Sequence, residues 1–177
     1  EDAALEAEHA LLGNHERLFA AVSAAYGAVE ESDEAVLPRL GSDLLELCAA
    51  AAQGDLAGAD VLWKPQDCVT VVLASAGYPA SSRKGDVIEG LDAAATLDDV
   101  TVYHAGTARQ DGRVVTAGGR VLAVSALGNG FAAARERAYD AVGRISFDGM
   151  QVRPDIAERA VRARAGELDL FPPGFSG

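Results

Sequence analysis

Two β-branched apolar runs, Cys68–Ala74 and Arg120–Ala126, do most to limit what this chain can fold into. Each reads as a strand, and each is joined to a glycine turn. Ser75-Ala76-Gly77-Tyr78-Pro79 follows the first run, and Gly118-Gly119 interrupts the chain before the second. Between them, Val87-Ile88 reads as another short strand and Thr101–Ala105 as a third, followed by Gly106 and Thr107. Asp111-Gly112 is a hairpin-type turn joining Thr107–Gln110 to Arg113–Thr116.

On either side of this strand-rich middle the apolar pattern becomes helical. Leu5, Leu11, Leu12, Leu18, Phe19 and Val22 recur at spacings compatible with a 3.6 period through residues 2–28, with Gly13-Asn14 as a break. Glu30–Glu34 is a charged, turn-prone joint. Ser42 or Asp43 can cap the next helix, with Glu46 placed to reach back, Leu44, Leu45, Leu47 and Cys48 as its apolar face, and Gly54 as its end. After Gly128–Gly130 a helix is predicted from Ala132 to about Val142, packing through Ala134, Ala138 and Tyr139 and closed by Gly143. Asp155 is placed to cap a last helix with Ile156, Ala160 and Val161 on its apolar side. Helices, then strands in antiparallel pairs, then helices predict an α+β fold: an antiparallel or mixed β-rich domain with flanking helices, preceded by a short helical N-terminal segment. A doubly wound sheet fits this order less well.

The 177 residues suit one domain, or one domain with an extra helical element, and 49% hydrophobic residues can build its core. The formal net charge is −12, from 27 acidic and 15 basic residues. Such a surface repels nucleic acid and anionic lipid, so neither is an expected partner. A small polyanion stays open, because a local arginine or a set of backbone N–H groups overrides the global field. No charged-then-apolar leader opens the sequence, and no uncharged run reaches about 18 residues, so neither a signal peptide nor a transmembrane helix is expected. Beginning at Glu1 without methionine, the chain reads as processed or trimmed. Cys48 and Cys68 read as buried free thiols, which suits a reducing, cytoplasmic setting.

No complete catalytic or metal constellation is visible. His9 and His15 lie about 240° apart around a helix and form no zinc pattern. His104 ends a strand beside Ala105-Gly106-Thr107, with no paired serine or cysteine that would make it a general base. The segments Ala76–Pro79, His104–Thr107 and Ala117–Arg120 are neither a Walker A loop nor a dinucleotide fingerprint. Their glycines serve tight turns on the plain reading. On the functional reading, Arg120 beside exposed N–H groups binds a phosphate or carboxylate. Most other arginines, Arg83 included, read as solvated. A Gly119→Ala change is expected to cost stability under both readings.

Several motifs, in order, carry a resemblance. Leu37-Pro38-Arg39-Leu40 with Ser42–Glu46 opens it, and Val71–Ser75, Gly77-Tyr78-Pro79 and Lys84–Ile88 follow. Val102–Thr107, Val114–Thr116, Gly118–Leu122, Arg137–Tyr139, Phe147–Gly149 and Arg153, Asp155 and Ile156 complete it. Residues 36–165 thereby resemble the C-terminal domain of phosphoribosylamine–glycine ligase, also called glycinamide ribonucleotide synthetase. Residues 1–35 are left as a helical segment of unknown role and 166–177 as a tail.

The resemblance implies part of a purine-biosynthesis enzyme that joins 5-phosphoribosylamine to glycine at the expense of ATP. It implies ATP and Mg for the complete enzyme, with no cofactor bound by this chain alone. It makes Gly77, Tyr78, Pro79, His104, Gly106, Thr107, Gly118, Gly119 and Arg120 substrate-facing candidates, with no catalytic or metal residue carried over. Where the family's acidic metal-binding run should precede Leu37, this chain has Tyr26–Glu34. The expected partner is therefore a separate ATP-grasp chain, or a second copy through the N-terminal helices, with a phosphoribosylamine-like small molecule as ligand. The competing expectation is a non-catalytic phosphosugar-binding or structural interaction protein derived from that domain.

Overall fold

A computed structural model describes residues 33–55 and 61–167. The predicted helices of residues 2–28, His9, His15 and residues 168–177 lie outside the described residues. The chain divides into two compact units, Glu1–Pro65 and Gln66–Gly177.

In the first unit a short helix α1 (Asp33–Val36) runs into a 3-10 turn, Leu37–Arg39, and helix α2 spans Leu44–Ala52. Asp43 caps α2, its carboxylate accepting from the N–H groups of Leu45 (2.8 Å) and Glu46 (3.2 Å). Ser42 is used elsewhere, its hydroxyl accepting from the N–H of Leu62 at 2.8 Å. The predicted apolar face is mostly not buried: Leu47 is, whereas Leu44, Leu45 and Cys48 are exposed. Cys48 therefore departs from expectation, and only Cys68 is a buried thiol; neither is in a disulfide.

The second unit is built on an antiparallel sheet in the order β2–β5–β1–β6, from β1 (Asp67–Ala74), β2 (Val100–His104), β5 (Arg120–Gly128) and β6 (Gln151–Val152). Strands β3 (Thr107–Gln110) and β4 (Arg113–Thr116) form a separate hairpin. Its turn has the left-handed angles that Asp111 (φ 50°) and Gly112 (φ 77°) tolerate. Helices α3 (Leu91–Ala95), α4 (Phe131–Arg144) and α5 (Glu158–Arg164) complete the α+β fold.

Period-2 alternation decides which side of the sheet meets α4. Val69, Val71 and Leu73 of β1 stand opposite Ala126, Val124 and Leu122 of β5, and all join Ala134, Ala138, Ala141 and Val142 of α4 in one core. The alanines keep that helix face flat, so helix and strand backbones approach closely. On the other side of the sheet Thr70 and Ser125, cross-strand partners, share a hydroxyl hydrogen bond of 2.8 Å.

Several boundaries depart from the sequence reading. Val87-Ile88 makes only an isolated bridge, between Val87 and Val115. Helix α4 runs through Gly143 to Arg144, because Gly143 keeps a helical backbone and nothing crowds it. Asp155 does not cap α5; Ala157 holds that place without a side-chain cap, and Asp155 pairs with Arg153 instead. Arg153 thereby draws the Asp155 carboxyl below its ordinary range.

The segment before α5 is fastened to α4 by two side chains. Arg135 donates to the carbonyls of Ile156 (2.9 Å) and Pro154 (2.6 Å) while its guanidinium lies 4.7 Å from the Tyr139 ring centroid. The Tyr139 hydroxyl donates to the Arg153 carbonyl at 2.6 Å and accepts from the Ile156 N–H at 3.2 Å. Tyr139→Phe should cost about 1–2 kcal/mol, read as a lower urea midpoint with an unchanged slope. No change in midpoint would show that this fastening adds nothing.

Candidate functional site

The sheet brings the glycine-rich segments to one edge. Strand β5 is antiparallel to both neighbours, so its start at Arg120 lies beside the ends of β1 at Ala74 and β2 at His104. The turns that leave β1 and β2 and the turn that enters β5 therefore meet.

Hydrogen bonds pin that meeting. The Ser75 N–H donates to the Gly119 carbonyl at 2.8 Å, the Ala105 and Gly106 N–H groups both donate to the Val121 carbonyl at 3.1 Å, and the Ala117 N–H donates to the Gly106 carbonyl at 2.7 Å. Backbones cross so tightly at Gly106 that a Cβ there would lie 2.5 Å from the Arg120 carbonyl oxygen and 2.8 Å from the Gly118 Cα. Glycine at 106 is thus a packing requirement, not only a turn preference.

Tyr78 lies across Gly119, where an added Cβ would be 2.5 Å from the tyrosine Cδ2. Tyr78 remains 40% exposed. Gly77 carries the left-handed backbone (φ 86°) that starts the turn, and Pro79 follows Tyr78 through a cis peptide. His104 is exposed, with Nδ1 3.0 Å from the Thr107 Oγ1, which orients the ring. All the predicted substrate-facing residues therefore belong to one neighbourhood.

The cation beside the Gly118-Gly119 turn is Arg120. Its guanidinium is exposed and pairs with no carboxylate among the described residues, whereas Arg83, Arg137, Arg144 and Arg153 each hold an aspartate. Among the described residues, no backbone carbonyl accepts from the N–H groups of Gly118 or Gly119. Ser75, fully buried at the head of the Tyr78 turn, has a hydroxyl without a hydrogen-bond partner among the described residues. An exposed cation and backbone donors close together in the chain make an anion-binding surface.

Sequence reasoning missed the groups behind this surface. Ser75 looked like turn material, and Arg83 looked solvated. Arg83 instead bridges Asp86 (2.8 Å) and Asp148 (2.5 Å). The Arg83/Asp86 spacing of three residues was a readable local signal; the distant Asp148 was not.

A family model described as Phosphoribosylglycinamide synthetase, C domain, matches residues 68–159. The chain belongs to this family. It is 50% identical over 127 residues to a phosphoribosylamine–glycine ligase of Neisseria meningitidis, covering 71% of this chain and 30% of that protein. A ligase of the same name from Leifsonia xyli is 52% identical over 130 residues, covering 72% and 31% respectively. The crystal structure of phosphoribosylamine–glycine ligase from Thermotoga maritima superimposes with a TM-score of 0.50 at 32% identity, over 62% of this chain and 27% of that one. The chain thus spans about a third of the length of the curated relatives it matches. No helix among the described residues is long and apolar enough to cross a membrane.

The residues described do not suit a magnesium–nucleotide site. No three His, Cys, Asp or Glu side chains converge among them. Asp86 and Asp148 are both taken by Arg83.

Proposed function

We propose that this chain is the carboxyl-terminal part of an ATP-dependent ligase that joins 5-phosphoribosylamine to glycine in the cytoplasm, and that its glycine edge receives the phosphosugar. The observation that carries this reading is Arg120, exposed, paired with no carboxylate among the described residues, and next in the chain to the N–H groups of Gly118 and Gly119. A phosphate would take a charge-assisted hydrogen bond from the guanidinium and neutral ones from the backbone. Sugar hydroxyls would then lie toward Tyr78.

ATP activation belongs to an ATP-grasp core outside the described residues. Phosphoryl transfer needs carboxylates holding Mg and a cationic clamp on the phosphates, and the described residues bring no such set together. The reading therefore gives this chain binding and orientation, and gives the partner the chemistry.

Isothermal titration with ribose 5-phosphate tests it, on the chain alone and after addition of an ATP-grasp core. Arg120→Ala should weaken binding by roughly 10- to 100-fold, the scale of a lost charged hydrogen bond, with the thermal midpoint unchanged. Absence of heat both alone and with the core would sink the phosphosugar reading.

A further inference from the structure

We propose that Arg83 is a positioning residue for the glycine edge, setting where Tyr78 lies by gripping two carboxylates at once. The inference deepens the phosphosugar reading above and rests on it for its binding consequence.

The turn that carries Tyr78 is closed by backbone hydrogen bonds. The Tyr78 N–H donates to the Ser75 carbonyl (3.2 Å), the Ser81 N–H to Gly77 (2.9 Å) and the Arg83 N–H to Ala76 (3.2 Å). These bonds shape the turn but tie it to nothing beyond itself. Backbone bonds from Ser75 to the Gly119 carbonyl (2.8 Å) and from Gly85 to the Thr116 carbonyl (2.7 Å) hold its two ends, and Arg83 adds two side-chain anchors. Its Nε meets Asp86 Oδ2 at 2.8 Å and its Nη2 meets Asp148 Oδ2 at 2.5 Å.

Both anchors are fixed. The Asp86 N–H donates to the hydroxyl of Thr116 at 3.1 Å, and the Asp86 carbonyl accepts from the Thr116 N–H at 2.9 Å. Thr116 is itself buried, at the end of β4. Asp148 sits in the turn between buried Phe147 and Met150, where Gly149 (φ 67°) lets the chain pass Ala76 so closely that a Cβ would lie 2.7 Å from the Ala76 Cβ. The Arg83 fork thus joins the Tyr78 turn to the hairpin and to the core at the same time. A lysine's N–H bonds all leave one nitrogen, so it cannot place donors at the two separate positions that Nε and Nη2 hold in a rigid fork. Hydrogen bonding first to Asp86 and then to Asp148 holds the guanidinium above its ordinary range, as a fully engaged cation should be.

The test uses the tyrosine as its own reporter. The edge of the Tyr78 ring lies against Gly119 and gives the Gly119 protons a ring-current shift. Arg83→Met and Asp148→Asn should each relax that shift and weaken ribose 5-phosphate binding by about tenfold, with little change in thermal midpoint, and Arg83→Lys should restore the shift only in part. An unchanged Gly119 shift in both variants overturns the proposal. So does binding that holds or tightens in Asp148→Asn, because an Arg83 freed to touch the phosphate would do that. Should Arg83→Met fail to fold, Asp148→Asn decides alone, since that side chain is 81% exposed. If the unaltered chain binds no ribose 5-phosphate, the phosphosugar reading fails while the Gly119 shift still decides what Arg83 positions.

Discussion

Gly90→Ala is expected to remove about 3 kcal/mol or more of stability, lowering the thermal midpoint of the Gln66–Gly177 unit by roughly 10–20 °C. Gly90 caps α3 in the left-handed region (φ 81°, ψ 3°), where an L side chain is already strained. A Cβ would also overlap the Arg144 carbonyl at the end of α4 and lie 3.3 Å from the Ile145 Cα. The chain cannot step aside, because Glu89 and Ser146 exchange two backbone hydrogen bonds, of 2.9 and 3.1 Å, right beside the contact. Gly85→Ala is the control. It shares the left-handed backbone (φ 91°) but meets nothing within 4 Å, so it should lose only about 1–2 kcal/mol. Equal losses in the two variants would show that the junction between α3 and the end of α4 yields, and that only backbone strain matters.

That contrast also shows what a sequence reveals and what it withholds. Strands β1, β3, β4 and β5 were legible because β-branched residues and an Asp-Gly turn specify them locally. Helix α4 was legible from its alanine spacing, but its end was not. Gly143 carries the residue type of a helix stop without its backbone, whereas Gly90 has the left-handed backbone at a helix start. Helix α3 and strand β6 were missed because five and two residues show no period. Leu44, Leu45 and Cys48 misled for the opposite reason: a helical stripe says which residues share a face, not that anything buries it.

The candidate site divides in the same way. Its glycines and Arg120 were visible as turn and charge signals. Their convergence depended on the register of β1, β2 and β5, which is set by pairing across long stretches of chain. The Ser75 hydroxyl and the Arg83 fork were hidden for that reason too. Each is defined by a partner, or by the lack of one, that sequence spacing does not carry.

Register also separates two glycines that look alike in sequence. Gly106→Ala is expected to cost about 2–3 kcal/mol and to abolish ribose 5-phosphate binding. Its Cβ would be driven into backbone, 2.5 Å from the Arg120 carbonyl oxygen and 3.0 Å from the Gly118 nitrogen. The Gly106 N–H and carbonyl are both engaged, to Val121 and Ala117, so neither strand end can retreat without losing a hydrogen bond. Gly119→Ala should behave differently, contrary to the expectation from sequence. Gly119 needs no left-handed backbone, and its Cβ would meet only the Tyr78 ring, a partly exposed side chain that can swing outward. Its stability should stay within about 0.5 kcal/mol of the unaltered chain, while binding falls because Tyr78 no longer lies over the edge. Urea midpoints and titrations of both variants would be read together. Comparable stability losses would mean that the Tyr78 ring is as immovable as backbone. Intact binding in Gly119→Ala would remove Tyr78 from the phosphosugar site.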